Sequence, residues 1–335
     1  MTREQAGGRI ALNARAAARP ELGGVERWAR ELAKRLPALG GYEVIRPPAA
    51  LSHRAGHAWE QAVLPAKARR ARLLLNPANL APIAFPRNAV IIHDAAALRR
   101  PQWYSPLYAR WQRGLLPLVA RRARIVITVS EVSRRELQEL LNVDAHVVPG
   151  GVDARFRPDA DPEPARAALG LERPYVLTVA SRTARKNLAS LTATARRLAP
   201  QGIELVAAGG GRPQFRHEAQ ASAPRALGHV PDQHLPGLYA GARAFVLPSW
   251  HEGFGLTCLE AMACGVPVVA ARAGALPETC GQAARYADPF DHEDIASQVE
   301  AALSDDALRA AGPARAQQFT WERTAHELDA LLKRR

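Results

Sequence analysis

Short apolar runs separated by amphipathic stretches recur along the chain. Residues 9–13 (RIALN), 42–45 (YEVI), 72–75 (RLLL), 88–93 (NAVIIH), 124–130 (RIVITVS) and 145–149 (AHVVP) have the length and composition of buried strands. Between them Val25, Trp28, Ala29, Leu32 and Leu36 fall at helical spacing, and residues 105–122 and 131–141 read as further helices. Ser130 and Ser133 both stand where they can cap the second of these. Residues 150–170 break the pattern with Gly, Pro and Asp, as a linker between domains does. The alternation then restarts, with strands at 175–180, 203–209, 244–248 and 266–270 and helices at 187–199, 233–241, 255–264 and 291–303. An amphipathic helix over 321–332 follows. Strands with no wet face, alternating with helices, imply parallel sheets covered on both sides. The pattern therefore predicts an α/β chain of two doubly wound domains with a cleft between them.

Composition supports this and narrows the rest. A chain of 335 residues, 47% hydrophobic, is long and apolar enough for two cores. Its three cysteines, Cys258, Cys264 and Cys280, have no CxxC spacing, which argues against a zinc or redox motif and for a reduced, cytoplasmic protein. The first twenty residues lack the apolar core of a signal peptide, and no run reaches the length of a spanning helix. Residues 1–160 hold 26 Lys/Arg against 13 Asp/Glu, whereas residues 161–335 hold 19 of each, so the first half carries the whole net charge of +13. That charge suits an anionic substrate, an anionic membrane surface or a nucleic acid, or is an ordinary solvated surface. The nucleic-acid reading, a basic binding protein without catalysis, draws on arginines 69, 70, 72, 99 and 100 but finds no stacking motif or known module. The segment 59–75 mixes apolar residues with Lys67, Arg69, Arg70 and Arg72; it could rest on an anionic inner leaflet or be a packed helix with a basic edge.

Open parallel sheets bind ligands beyond the carboxyl ends of their strands, so chemistry is expected in the loops there. In HEGFGLTCLE, Glu252 and Glu260 flank a glycine turn that opens a helix. Gly253 and Gly255 permit close approach of a ligand, and a helix start attracts phosphate. Treated as all helix, the spacing of the two carboxylates spans about 12 Å, near the reach from sugar to ribose in a nucleoside-diphosphate sugar. The plain alternative is one capping and one surface glutamate. SRTARKN places Arg182, Arg185 and Lys186 after a strand, where cations would neutralise a diphosphate leaving group or form a solvated basic turn. Gly23-Gly24 precedes a helix, again a phosphate-compatible start or an ordinary turn. His93 and Asp94 end a strand, as a structural pair or as ligands of a sugar. No GxSxG, HExxH or strand-end DxD is present, so a serine triad and a metal site are not expected.

HEGFGLTCLEAMACGVPVVA resembles the E-x7-E signature of retaining glycosyltransferases of family 4, which have the GT-B fold of two Rossmann-like domains. NARAAARPELGGVERW, HAWEQAVLP, VIIHD, RIVITVSEVSRREL, VVPGGVDARFRP, VASRTARKN, LGHVPDQHLPGLYAGARAFVLPS and FTWERTAHEL are similar to successive segments of that family. The resemblance implies an acceptor-binding domain over 1–155, a donor-binding domain over 156–318 and a C-terminal helix, 319–335, packed back on the first domain. It implies a metal-independent hexosyltransferase with no cofactor, using a GDP- or UDP-sugar of mannose or glucose type. TARKN favours GDP-mannose-type donors. A glycan, a lipid-linked glycan or a secondary metabolite would be the acceptor, as in cell-envelope polysaccharide synthesis, with a peripheral contact at the inner membrane face and no nucleic acid. Residue by residue, Glu252 and His93 would act at the reacting sugar, Glu260 at the ribose, and Arg182 and Lys186 at the diphosphate. Gly24 would donate its amide to the distal phosphate, Gly253, Phe254, Gly255 and Leu256 would contact sugar and phosphate, and the Val230 backbone would meet the base. Ser181 stands where many members have an arginine, with Arg182 beside it and Arg185 as a second phosphate ligand. Domain closure over the donor is expected, to keep water from the reaction.

Overall fold

The computed structural model describes residues 8–19, 23–51, 56–211 and 224–334. Part of the first glycine-rich loop, residues 20–22, lies outside them. The described residues form two compact units. The first comprises residues up to Arg99, Arg110–Gly151 and the segment from Trp321; the second comprises Arg100–Ala109 and Val152–Thr320.

The first unit holds six parallel strands: β1 (Ile10–Asn13), β2 (Tyr42–Ile45), β3 (Leu73–Asn76), β4 (Asn88–Ile91), β5 (Ile125–Thr128) and β6 (His146–Val147). Their order is β2-β1-β3-β4-β5-β6. The second sheet holds β7 (Tyr175–Val179), β8 (Glu204–Ala208), β9 (Arg225–Gly228), β10 (Ala244–Leu247), β11 (Val268–Ala271) and β12 (Arg285–Ala287), in the order β12-β11-β10-β7-β8-β9. Every pairing in both sheets is parallel. β1, β3, β4, β5 and β10 are buried at all four positions, as helices on both faces require. The doubly wound α/β expectation therefore holds in both units.

Each sheet reverses its winding once. In the second, the chain runs outward through β7, β8 and β9, then starts again on the other side of β7 with β10. The carboxyl ends of β7 and β10 are thus side by side with their loops diverging, the arrangement that leaves a ligand crevice in open α/β sheets. The first sheet reverses between β1 and β3.

Several local expectations change. Ser130 is the N-cap of the helix Glu131–Leu141, accepting from the Ser133 amide at 3.0 Å. Ser133 is not a cap; its hydroxyl donates to the His93 carbonyl at 3.0 Å. The linker-like stretch folds in its second half into the helix Glu163–Leu169, which belongs to the second unit. The helix expected over 187–199 starts as a 3-10 turn at Leu188–Leu191 and becomes α-helical at Thr192–Leu198. In the basic segment 59–75 Trp59, Leu64, Leu73, Leu74 and Leu75 are buried, which leaves Lys67, Arg69 and Arg70 outside with Val63 and two alanines as their exposed apolar neighbours. Among the described residues no helix is long and apolar enough to cross a membrane.

Candidate active site

The reversal of the second sheet brings two predicted loops together. The loop after β7 carries Arg182, Arg185 and Lys186; the loop after β10 carries Glu252. Lys186 Nζ donates to Glu252 Oε1 at 2.5 Å, and Arg185 Nη1 lies 3.8 Å from Oε2. Both loops are also tied through the backbone, since the Trp250 amide donates to the Arg185 carbonyl at 3.0 Å and Arg185 Nη1 donates to the His251 carbonyl at 3.3 Å. Burial alone would push the Glu252 carboxyl up, but the Lys186 and Arg185 charges outweigh it and hold the group down at about 2. Lys186 is driven the other way: burial lowers it, against the pull of Glu252. The result is a largely buried site in which two basic side chains flank one carboxylate.

Glu252 is fixed from behind as well. Gly274 has φ +54, and a Cβ there would lie 2.5 Å from the Glu252 carbonyl oxygen and 2.6 Å from its nitrogen. The next residue, Ala275, donates its amide to that same carbonyl at 2.9 Å. Asn187, beside Lys186 and itself at φ +53, donates from Nδ2 to the Pro248 carbonyl at 3.1 Å and the Pro289 carbonyl at 2.9 Å. One side chain thus binds the loops after β7, β10 and β12 together.

The helix after Glu252 starts at Leu256, with Gly255 as N-cap at φ +99; a side chain there would collide with Leu276 at 2.6 Å. Gly253 and Phe254 are buried in the turn, Phe254 edge-on to Phe319 at 5.8 Å. The eight-residue step from Glu252 to Glu260 is therefore half loop and half helix, and an all-helical rise does not describe it. Glu260 is buried and accepts a hydrogen bond from Tyr239 Oη at 2.9 Å, so it is not the surface glutamate of the plain alternative. Val230 is buried just after β9. Arg182 is half-exposed, its amide bonded to the Gly210 carbonyl at 3.2 Å.

In the first unit, His93 is buried beyond β4. Its Nε2 lies 2.9 Å from the Pro77 carbonyl, which can only accept, so Nε2 carries the proton and Nδ1 is left as an acceptor. Burial lowers this imidazole, which keeps it neutral. Asn79 Oδ1 accepts from the His93 amide at 2.8 Å, and Trp28 stands edge-on to the ring at 5.3 Å. Gly24 is the first residue of the helix Gly24–Arg35, whose Glu26 accepts from the Gly23 amide at 3.1 Å. A Cβ added at Gly24 would meet nothing within 4 Å, so the packing of the protein does not explain that glycine.

Asn187, Tyr239 and Gly274 were not singled out by sequence reasoning. Asn187 stood beside a chosen lysine, and asparagine is the residue that most readily takes a left-handed turn. Tyr239 and Gly274 leave no signal until the fold brings them to their glutamates.

Comparison with known proteins agrees with this architecture. Residues 173–305 match the family model described as Glycosyl transferases group 1, and residues 86–156 match Glycosyltransferase Family 4. The O-antigen chain mannosyltransferase B of Escherichia coli is 33% identical over 265 residues, covering 72% of this chain and 68% of that protein. The serotype-specific mannosyltransferase WbdA of Escherichia coli is 41% identical over 103 residues, 30% of this chain but only 13% of its own length. Among solved structures, the sucrose-phosphate synthase of Thermosynechococcus elongatus superposes with a TM-score of 0.77 at 21% identity, covering 98% of both chains. The chain is a glycosyltransferase of family 4, with two parallel six-stranded sheets of the GT-B fold.

Proposed function

We propose that the protein transfers a hexose, of mannose type, from a nucleoside-diphosphate sugar to a hydroxyl of a glycan acceptor, with retention at the anomeric carbon and without a metal ion. The observation that carries this reading is the Lys186–Glu252–Arg185 cluster at the reversal point of the second sheet, beside a glycine-capped helix start. The mannose assignment draws on the two mannosyltransferase relatives. In this reading Lys186 and Arg185, with Arg182 at the rim, neutralise the diphosphate as the bond from the anomeric carbon to the phosphate oxygen breaks. The amides of Gly253 to Leu256 lie at the helix start over which the phosphates rest. Once Lys186 turns to the diphosphate, Glu252 is free to accept hydrogen bonds from sugar hydroxyls. Glu260, oriented by Tyr239, takes the ribose hydroxyls, and Val230 meets the base. Gly24 offers its amide to the distal phosphate. His93, neutral and with Nδ1 as acceptor, holds a sugar hydroxyl rather than a phosphate.

With Glu252 engaged by the sugar hydroxyls, the favoured route is front-face attack: the acceptor oxygen bonds to the anomeric carbon on the side the phosphate leaves, and its proton passes to the departing phosphate oxygen. A covalent sugar–carboxylate intermediate is the less favoured route. The test is transfer from GDP-mannose and UDP-glucose in EDTA, with product configuration read by NMR and donor binding by thermal shift. Stabilisation by one of these donors and a retained product are expected; an inverted product, or no stabilisation by any nucleoside-diphosphate sugar, refutes the proposal.

A peripheral membrane contact has its own supporting feature. Arg9, Lys67, Arg69 and Arg70, with Glu43 and Val63, line a groove of about 670 Å³ beside the residues that lead into β1 and β3. With the large apolar residues of this segment other than Val63 in the core, the contact we propose is mainly electrostatic, to anionic headgroups. Liposome flotation that does not depend on anionic lipid refutes it.

A further inference from the structure

The donor reading leaves two aromatic rings unused. Trp250, half-buried, lies two residues before Glu252, and Phe290 follows β12. Their ring centroids are 4.4 Å apart with planes at 51°. Phe290 is 78% exposed, which only Leu107 exceeds among the exposed large hydrophobic residues described. This is not a loose loop tip. Asp288 Oδ1 accepts from the Phe290 amide at 2.9 Å, and Asp291 caps the helix His292–Ala302 through the amides of Glu293 and Asp294. Asn187 grips the Pro289 carbonyl next to Phe290, and Pro248 near Trp250, from its place beside Lys186. The pair is therefore held in fixed relation to the loops that carry the reaction.

We infer that Trp250 and Phe290 form a sugar-binding platform for the acceptor, on which a pyranose ring of a neutral glycan stacks. The inference rests on the transfer reading above and adds an acceptor subsite to it. Aromatic faces are electron-rich and attract the polarised C–H face of a sugar, and rings already fixed in place lose little freedom on binding. The surrounding charge selects the kind of partner. Asp288 and Asp291 are exposed on either side of Phe290, while Glu293 beyond them is paired with Arg197. An acidic rim repels phospholipid headgroups and nucleic acid but offers acceptors to hydroxyls.

The test titrates the full chain with α-linked mannotetraose and with maltotetraose, neutral probes for the two hexose types, in wild type, Phe290→Ala and Phe290→Tyr. Wild type is expected to bind at least one. Phe290→Ala should weaken that binding roughly three- to tenfold, with Phe290→Tyr close to wild type. Donor stabilisation by GDP-mannose or UDP-glucose should be the same in all three. Failure of the wild type to bind either oligosaccharide overturns the platform, and so does equal binding by Phe290→Ala. A loss in Phe290→Ala that appears equally in donor stabilisation also overturns it, because the pair then serves the donor. The donor arm separates the two proposals: no donor effect in wild type removes the transfer reading, while a normal donor effect with unchanged oligosaccharide binding removes only the platform.

Discussion

Replacing Lys186 with methionine removes the charge that holds Glu252 and keeps most of the side-chain volume. The carboxylate is left buried with Arg185 at 3.8 Å as its remaining cation. Glu252 lies near 2 in the folded protein against an ordinary value of 4.5. At about 1.4 kcal/mol per unit, that depression corresponds to roughly 3 kcal/mol of stability contributed by the ionised group at neutral pH. The net value of the pair is smaller, because burial works against the Lys186 ammonium. The cost of breaking it is not smaller, because a buried carboxylate is left with only the more distant Arg185 charge, typically about 3–5 kcal/mol. For a unit of this size each kcal/mol moves the thermal midpoint by about 2–4 °C, so Lys186→Met should lower the midpoint of the second unit by roughly 6–20 °C at pH 7. Pairing it with Glu252→Gln should restore more than half of that loss. The sign with pH follows from the depressed carboxylate: its contribution is complete above the unfolded value of 4.5 and disappears as pH falls towards 2. The gap between wild type and Lys186→Met should therefore narrow below about pH 4.5 and close only towards pH 2, so it is measurably smaller at pH 3.5 than at pH 7. Differential scanning calorimetry of the four proteins of this cycle, at pH 7 and pH 3.5, measures it. If Lys186→Met melts with wild type at pH 7, or its loss is unchanged in the Glu252→Gln background, the two side chains are not coupled and the site drawn above is wrong.

Other positions give independent checks. Gly24→Ala should leave the melting point unchanged or slightly raised, since the added methyl meets nothing, yet raise donor KM about tenfold; an unchanged KM would remove Gly24 from the site. Tyr239→Phe strips a hydrogen bond from buried Glu260, which should cost about 1–3 kcal/mol and raise donor KM with little change in kcat. His93 is lowered from its ordinary 6.5, so wild type should lose stability as pH falls from 7 to 5, a loss that His93→Gln should lack; parallel pH–stability curves would contradict this. Glu252→Ala should abolish transfer with the circular dichroism of the fold retained, and measurable turnover would end its assignment at the reacting sugar.

Much of the architecture was legible because its strands are buried on both faces. The helix Glu131–Leu141 falls on the residues the pattern gave, and β1, β7 and β10 differ only at an end; β2, an edge strand buried only at Ile45, also falls on its expected residues. The misses have two causes. β9, with the sequence RALG, is exposed at its first two positions and sits at a sheet edge, and the three-residue β12 sits at the other. An edge strand can lack a continuous apolar run, and these two do, so they leave no periodic signal. The helices Glu163–Leu169 and Asp306–Ala316 carry Pro164 and Pro313, which read as breakers, although the first proline occupies the helix's opening turn, where it is tolerated. For the site, residue types at strand ends pointed to the right loops. The ion pair itself was not legible, because it depends on β10 lying next to β7, a matter of strand order that no local pattern encodes.

The helix Trp321–Lys333 belongs to the first unit, where Trp321 stands edge-on to Trp28 at 5.2 Å and Thr324 donates to the Pro149 carbonyl at 2.8 Å. During synthesis the ribosome therefore makes most of the first sheet early but supplies its closing helix only after the whole second unit has been translated. The usual order in which the leading domain matures first is reversed here. The nascent first unit must wait, incomplete around Trp28, while the later one finishes, and truncations or stalled translation before Trp321 should release a chain whose second unit is folded and whose first unit attracts chaperones.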